Sequence, residues 1–191
     1  MRVFAAVELP GDVIEALSDW WLDASGYLRA SDWRPVPSRL WHLTLDFYGE
    51  VSADEAGDLA EQLFNCVEDM PLLHLSTAPF GVFPRMSRPR VFWAGIEDAD
   101  GGNALKYLAR CCRRAGHATV RKHGAGKAVF RGHITVARAR TYPNALDAGV
   151  MKMIPNVPVI DWYADRFSLF QSILRPEGPQ YRRLETFCFD A

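Results

Sequence analysis

Five histidines are spread along the 191-residue chain, and two of them sit in matching surroundings. Trp41-His42-Leu43-Thr44-Leu45-Asp46-Phe47 sets an imidazole two residues before a hydroxyl inside an apolar run, and Gly132-His133-Ile134-Thr135-Val136-Ala137-Arg138 does so again. On a β-strand, positions i and i+2 project to the same face. His42 and Thr44 would then share one face, with Leu43 and Leu45 turned into the core. His133 and Thr135 would repeat the arrangement, with Ile134 and Val136 turned inward. An imidazole beside a hydroxyl suits acid–base chemistry on an oxyanion. Histidine exchanges its proton near neutral pH, and a hydroxyl donates to developing negative charge.

The bare tripeptide does not select these two, because His74-Leu75-Ser76 and His117-Ala118-Thr119 also match, making four of the five histidines. Context separates them. His42 and His133 lie in longer alternating runs with Phe47 and Phe130 close by. His117 follows Gly116, which reads as the glycine that stops a helix. It is expected to open a short extended piece or to act as a cationic neighbour of that helix end. His74 reads as a structural or exposed strand residue, and His123 as part of a basic, glycine-containing loop over 121–126.

The elements that must carry the two motifs follow from periodicity. Residues 2–8 alternate and read as a first strand. Asp12 starts a helix carrying Val13, Ile14, Leu17, Trp20 and Trp21 at helical spacing. Residues 40–47 form the first motif strand. Ser52-Ala53-Asp54-Glu55 has the form of a capping box opening a helix to about Cys66. Strands are expected over 72–78 and 90–96, with a turn-rich crossing at 80–84. A helix over 104–115 should stop at Gly116, and the second motif strand should cover 129–138. A weak helix over 143–153 and closing strands over 157–162, 166–174 and 181–189 complete the chain. Frequent strand–loop–strand pairs favour an α+β fold with largely antiparallel sheets over a doubly wound parallel one.

Composition sets the outer limits. Apolar residues make up 49% of the chain and charged residues 24%, as in an ordinary globular protein. The opening Met1 to Glu8 reads as a strand rather than a signal peptide, and no apolar run approaches a membrane span. The expected compartment is the cytoplasm, with no membrane partner. Cys66, Cys111, Cys112 and Cys188 lack zinc-ligand spacing and are expected as reduced thiols. The net charge of −1 argues against broad non-specific nucleic-acid binding. Locally, however, ten basic residues and no acid fall between Lys106 and Arg140, around the second motif. A stretch of that kind suits a phosphate-bearing ligand. There is no GxGxxG motif and no P-loop.

The ordered set of motifs resembles the 2H phosphoesterase superfamily, and within it the bacterial RNA 2′,3′-cyclic phosphodiesterases, also called the 2′-5′ RNA ligase family. The resemblance rests on the two His-x-Thr motifs, on Arg2 through Pro10, on Trp33-Arg34-Pro35-Val36, on Pro89 through Gly95, on Leu169-Phe170-Gln171-Ser172 and on Tyr181-Arg182-Arg183-Leu184. It implies a single bilobal α+β unit over residues 1–191, with two largely antiparallel sheets flanked by helices around a central cleft. It implies His42 as the acid that protonates the leaving 3′-oxygen and His133 as the base on water. Thr44, Thr135 and Arg138 would bind the phosphate. The expected ligand is RNA or a nucleotide ending in a 2′,3′-cyclic phosphate, handled by a monomer with no metal and no cofactor. Ligation would use the same residues without ATP. Two other readings remain: an RNA-end binding protein without turnover, and a 2H enzyme for a small cyclic nucleotide.

The chain departs from the family pattern at Gly132, where proline is usual, and at Asp46, where a basic residue is common. Strict alternation puts Asp46 on the face of His42 and Thr44, where its charge would weaken RNA binding or raise the pKa of a nearby imidazole. For Trp33, Phe47 and Phe130 the core is the favoured location over stacking on a base.

Overall fold

Runs rich in Val, Phe, Ile and Leu become strands here, and the amphipathic stretches between them become helices that cover one side. The structure is a computed structural model that describes residues 1–68, 70–124, 129–140 and 146–189. In chain order the elements are β1 (Arg2–Glu8), α1 (Gly11–Ser25), β2 (Trp33–Pro35), a 3-10 turn (Ser38–Leu40), β3 (His42–Glu50), α2 (Ala53–Phe64), β4 (Leu73–Phe83), β5 (Val91–Asp98), α3 (Ala104–Thr119), β6 (His133–Ala139), α4 (Ala148–Met153), β7 (Asp161–Ala164), β8 (Arg166–Arg175) and β9 (Gly178–Cys188). Among the described residues, no helix is long and apolar enough to cross a membrane.

The α+β expectation holds, and among the described residues every strand pairing is antiparallel. The strand order is β7-β4-β5-β6-β3-β1-β8-β9, with β2 attached to β6. The two expected sheets therefore join into one. They meet at β3 and β6 through the pair Leu43↔Ile134, the apolar residues between His and Thr in the two motifs. Carrying that antiparallel register one residue each way sets His42 across from Thr135 and Thr44 across from His133.

The helices tie the halves together. Trp20 and Trp21 of α1, which lies between β1 and β2, pack their rings against Phe92 of β5. The helix between β5 and β6, α3, packs beneath β3, where the Tyr48 hydroxyl donates to the Cys112 carbonyl at 3.2 Å. One core cluster accordingly takes residues from both halves. The capping box of α2 forms as expected, with Glu55 N–H donating to Ser52 Oγ and Ser52 N–H donating to Glu55 Oε2.

Some boundaries differ from expectation, each for a local reason. Residues 80–83 belong to β4 rather than to a turn, because a register shift between Ala78 and Gly81 absorbs Pro79, which has no N–H for the ladder. Helix α3 does not stop at Gly116 but runs on to Thr119, so His117 lies in its last turn. Gly116 is needed there for close approach, since a Cβ would sit 2.7 Å from the Tyr48 ring. The second motif strand begins at His133, and the weak helix shrinks to α4. Residues 125–126 of the basic loop and 143–145 of the weak helix lie outside the described residues. All four cysteines are free thiols, with Cys111 and Cys112 both buried.

Candidate active site

The two motif strands form the floor of a cavity of about 450 Å³. His42, Thr44, His133, Thr135 and Arg138 all line it. The fold thus brings together the five residues singled out from the sequence. Half-buried positions at His42 and Thr44 alternate with buried Leu43 and Leu45, and His133 to Val136 repeat the pattern.

Alternation then breaks in both strands at the same place. In the β1–β3 register, Ala5 pairs with Asp46 but Ala6 pairs with Thr44, so Leu45 is an extra residue. In the β5–β6 register, Phe92 pairs with Ala137 but Trp93 pairs with Thr135, so Val136 is extra. A β-bulge of this kind resets which residues face which side. It carries the fifth residue after each histidine, Phe47 and Arg138, onto the cavity wall. Under strict alternation an odd offset would have pointed both away.

The same bulge corrects the expectation for Asp46, which turns to the opposite side of the sheet, toward α3. There its Oδ2 lies 2.8 Å from His123 Nε2, with only 11% of the Asp46 side chain and 3% of the His123 side chain exposed. His123 Nδ1 in turn lies 3.1 Å from His117 Nδ1. His123, read from sequence as a loop residue, is therefore a buried tether between the 121–124 segment and the back of the first motif strand. No motif signalled it. Removing one partner of a buried pair typically costs about 3 kcal/mol. For a chain of this size, Asp46→Ala should lower the melting temperature by about 6–12 °C. An unchanged thermal midpoint in that variant would show that the pair does not hold the segment.

The two imidazoles are held alike. His42 Nδ1 donates to the Leu40 carbonyl at 2.8 Å, and His133 Nδ1 donates to the Arg131 carbonyl at 2.9 Å. A carbonyl only accepts, so Nδ1 carries the hydrogen in both rings, and each neutral ring keeps its lone pair on Nε2. The rings are also wedged by aromatics. His42 lies between Phe4, at 4.8 Å between centroids, and the edge of Tyr181, at 5.2 Å. His133 meets the edge of Phe83 at 4.9 Å and lies beside Trp93 at 6.1 Å. Phe4, Ala6, Phe170 and Tyr181 form a small apolar cluster of their own beneath His42.

These surroundings disfavour imidazolium. Burial lowers the His42 pKa from 6.5 to about 4; the Leu40 hydrogen bond opposes the shift, and the charges of Arg138 and His133 add to it. Burial also lowers the His133 pKa below 6.5, opposed by the Arg131 carbonyl and assisted by Arg138. Both rings therefore sit neutral in the free protein near pH 7. A bound anion reverses part of this, because negative charge between the rings favours protonation of either.

Gly132 also has a packing reason. A Cβ at that position would lie 2.4 Å from the Ile96 carbonyl oxygen, while Ile96 N–H donates to Gly132 O at 3.0 Å. The chain passes so close to β5 that proline, like any residue with a Cβ, would push the strands apart.

Several cavity residues were not singled out as site residues by the motifs. Arg34, Arg39, Glu177 and Tyr181 line the cavity. Phe47 is 48% exposed and faces it, against the core expectation, with the Arg2 guanidinium 5.5 Å from its centroid on the outer side. Trp33, in contrast, is buried as expected, and Phe130 packs against the core while half-buried. For Arg34 and Tyr181 the available signal was their place in the stretches that resemble the family. Arg39 had none.

Comparisons with known proteins give the family and the fold. The family model for LigT-like phosphoesterases matches residues 7–93. An RNA 2′,3′-cyclic phosphodiesterase from Thermotoga maritima is 31% identical, over 96% of this chain and 93% of the relative. One from Thermus thermophilus is 33% identical over 98% of this chain and 89% of the relative. Among solved structures, Escherichia coli LigT complexed with 3′-AMP superposes with a TM-score of 0.80 at 25% identity, covering all of this chain and 98% of the other.

Proposed function

This chain belongs to the LigT-like phosphoesterase family, the 2H phosphoesterases, and on that premise we propose that it is an RNA 2′,3′-cyclic phosphodiesterase working by two-histidine acid–base catalysis. The carrying observation is the pair of imidazoles with Nδ1 tied to backbone and the lone pair of each neutral ring on Nε2, set on neighbouring strands at one cavity with two threonines and Arg138.

The cyclic phosphate sits between the two Nε2 atoms. His133 takes a proton from water as the water oxygen bonds to phosphorus. The bond from phosphorus to the 3′-oxygen breaks, and His42 supplies the proton that oxygen needs. The products are a 2′-phosphate and a free 3′-hydroxyl. Thr44 and Thr135 hydroxyls donate to the non-bridging oxygens, where charge grows. Arg138 adds a guanidinium that matches two phosphate oxygens at once. When an RNA 5′-hydroxyl replaces water, the same displacement yields a 2′–5′ linkage and needs no ATP, because the strained ring supplies the leaving group.

An RNA oligonucleotide ending in a 2′,3′-cyclic phosphate tests the reading. Its incubation with the protein should give an end bearing a 2′-phosphate. A 3′-phosphate product would reverse the leaving group, and tight binding without product would make the chain an RNA-end binding protein.

A further inference from the structure

The cavity is uneven in charge. One wall is made by Arg34 at β2, Arg39 in the 3-10 turn and Arg138 on β6, and the facing β8–β9 hairpin contributes Glu177. Arg34 and Arg138 are register partners, so their side chains leave the strands on the same face. All three arginines are exposed. Among the described residues, none of the three is in an ion pair.

A cyclic phosphodiester brings a single negative charge. Arg138, the two threonine hydroxyls and the imidazoles already surround it. Two further unmatched guanidiniums at the rim exceed what that one anion requires, and Glu177 offsets only part of the excess. The cavity, at about 450 Å³, is also continuous from the motif residues to Arg34 and Arg39. A guanidinium is the side chain best shaped to grip a second phosphate.

We propose that Arg34 and Arg39 form a second phosphate subsite for the phosphodiester linking the terminal nucleotide to the one before it, so that an RNA end is preferred over a free cyclic mononucleotide. This rests on the cyclic-phosphate reading above and specifies its substrate. The terminal ribose and its cyclic phosphate lie over the motif strands. The preceding phosphate lies against the β2 wall. Further nucleotides leave the cavity past Arg39.

The test compares three probes: a nucleoside 2′,3′-cyclic monophosphate, the same nucleotide carrying a 5′-phosphate, and a dinucleotide ending in the cyclic phosphate. In the wild-type protein, kcat/KM for the dinucleotide should exceed that for the monophosphate by about tenfold or more, the scale of a charge-assisted hydrogen bond. Arg34→Gln combined with Arg39→Gln should collapse that ratio toward one. The salt dependence of kcat/KM for the dinucleotide should become shallower, because one charge contact open to screening is lost. If the 5′-phosphorylated mononucleotide gains as much as the dinucleotide, the subsite stands and needs only the phosphate. Equal rates for dinucleotide and monophosphate in the wild type overturn the proposal. So does a double variant that slows both equally, which would put the arginines at the reacting phosphate or in the fold. A wild-type protein that turns over none of the probes defeats the catalytic reading instead. The subsite is then judged by titration with the same probes, and equal dissociation constants for the monophosphate and the dinucleotide would overturn it.

Discussion

His42→Ala and His133→Ala should each lower hydrolysis of an RNA 2′,3′-cyclic phosphate by about 10²–10⁴-fold, the usual contribution of a positioned general acid or base. The loss should appear in kcat more than in KM, because neither Nε2 is needed to bind the phosphate that Arg138 and the threonines hold. The double variant should fall little further than the worse single one, since one displaced proton requires the other. Substantial turnover in either single variant would sink the two-histidine scheme. The two roles can be told apart with an activated substrate. A nucleotide phosphodiester whose leaving group is nitrophenolate departs without a proton, so the variant lacking the acid should recover most of its rate and the variant lacking the base should not. If His42 is the acid, as the family resemblance implies, His42→Ala is the variant that recovers. Recovery by His133→Ala instead would exchange the assignments.

The pH dependence should be displaced to the acid side. In the free protein, burial holds His42 at about 4 and lowers His133 from 6.5. The active form carries one proton on the pair. Below the lower of the two values both rings are protonated and the base is lost; above the higher both are neutral and the acid is lost. The kcat/KM profile should therefore be a bell with its falling limb beginning below pH 6.5, losing about tenfold per pH unit beyond it. The kcat profile should shift to higher pH, because bound phosphate favours imidazolium. An optimum in kcat/KM above pH 7.5, or a monotonic rise with pH, would contradict the depressed imidazoles. Stability must be followed over the same range. A histidine whose folded pKa lies below its unfolded value contributes stability above pH 6.5, and that contribution is lost as pH falls toward 4. Rates on the acid limb are meaningful only where thermal unfolding shows the fold intact.

The low value at His42 bears on mechanism. At about 4, His42 is neutral in the free protein near pH 7. For His42 to act as the acid, the substrate anion must raise it. The Leu40 carbonyl that already opposes the burial effect on His42 acts in the same direction.

Much of the site is legible in the sequence. His42, Thr44, His133 and Thr135 can be paired because strand alternation is a local property of the backbone. A two-residue spacing fixes a common face whatever lies around it. The capping box at Ser52 and Glu55, the β1 strand and the antiparallel α+β class are readable for the same reason. The reading fails wherever a distant partner intervenes. Gly116 has the right neighbours to end a helix, yet Tyr48 needs its bare Cα and the helix continues. Phe47 belongs in the core by residue type, but the strand geometry places it on the cavity wall.

What the sequence determined by itself is therefore the chemistry on offer: two imidazole–hydroxyl pairs, each presented by a strand, in a chain of globular composition. What only the tertiary structure decided is which other residues join them. The extra residues Leu45 and Val136 shift the register after each motif, bringing Arg138 and Phe47 to the cavity and sending Asp46 behind the sheet to His123. A bulge is a relation between two strands, and its position depends on the partner as much as on the bulged residues. Burial, which pushes both imidazoles toward the neutral form, is likewise set by side chains such as Phe4, Tyr181, Phe83 and Trp93, which come from elsewhere in the chain.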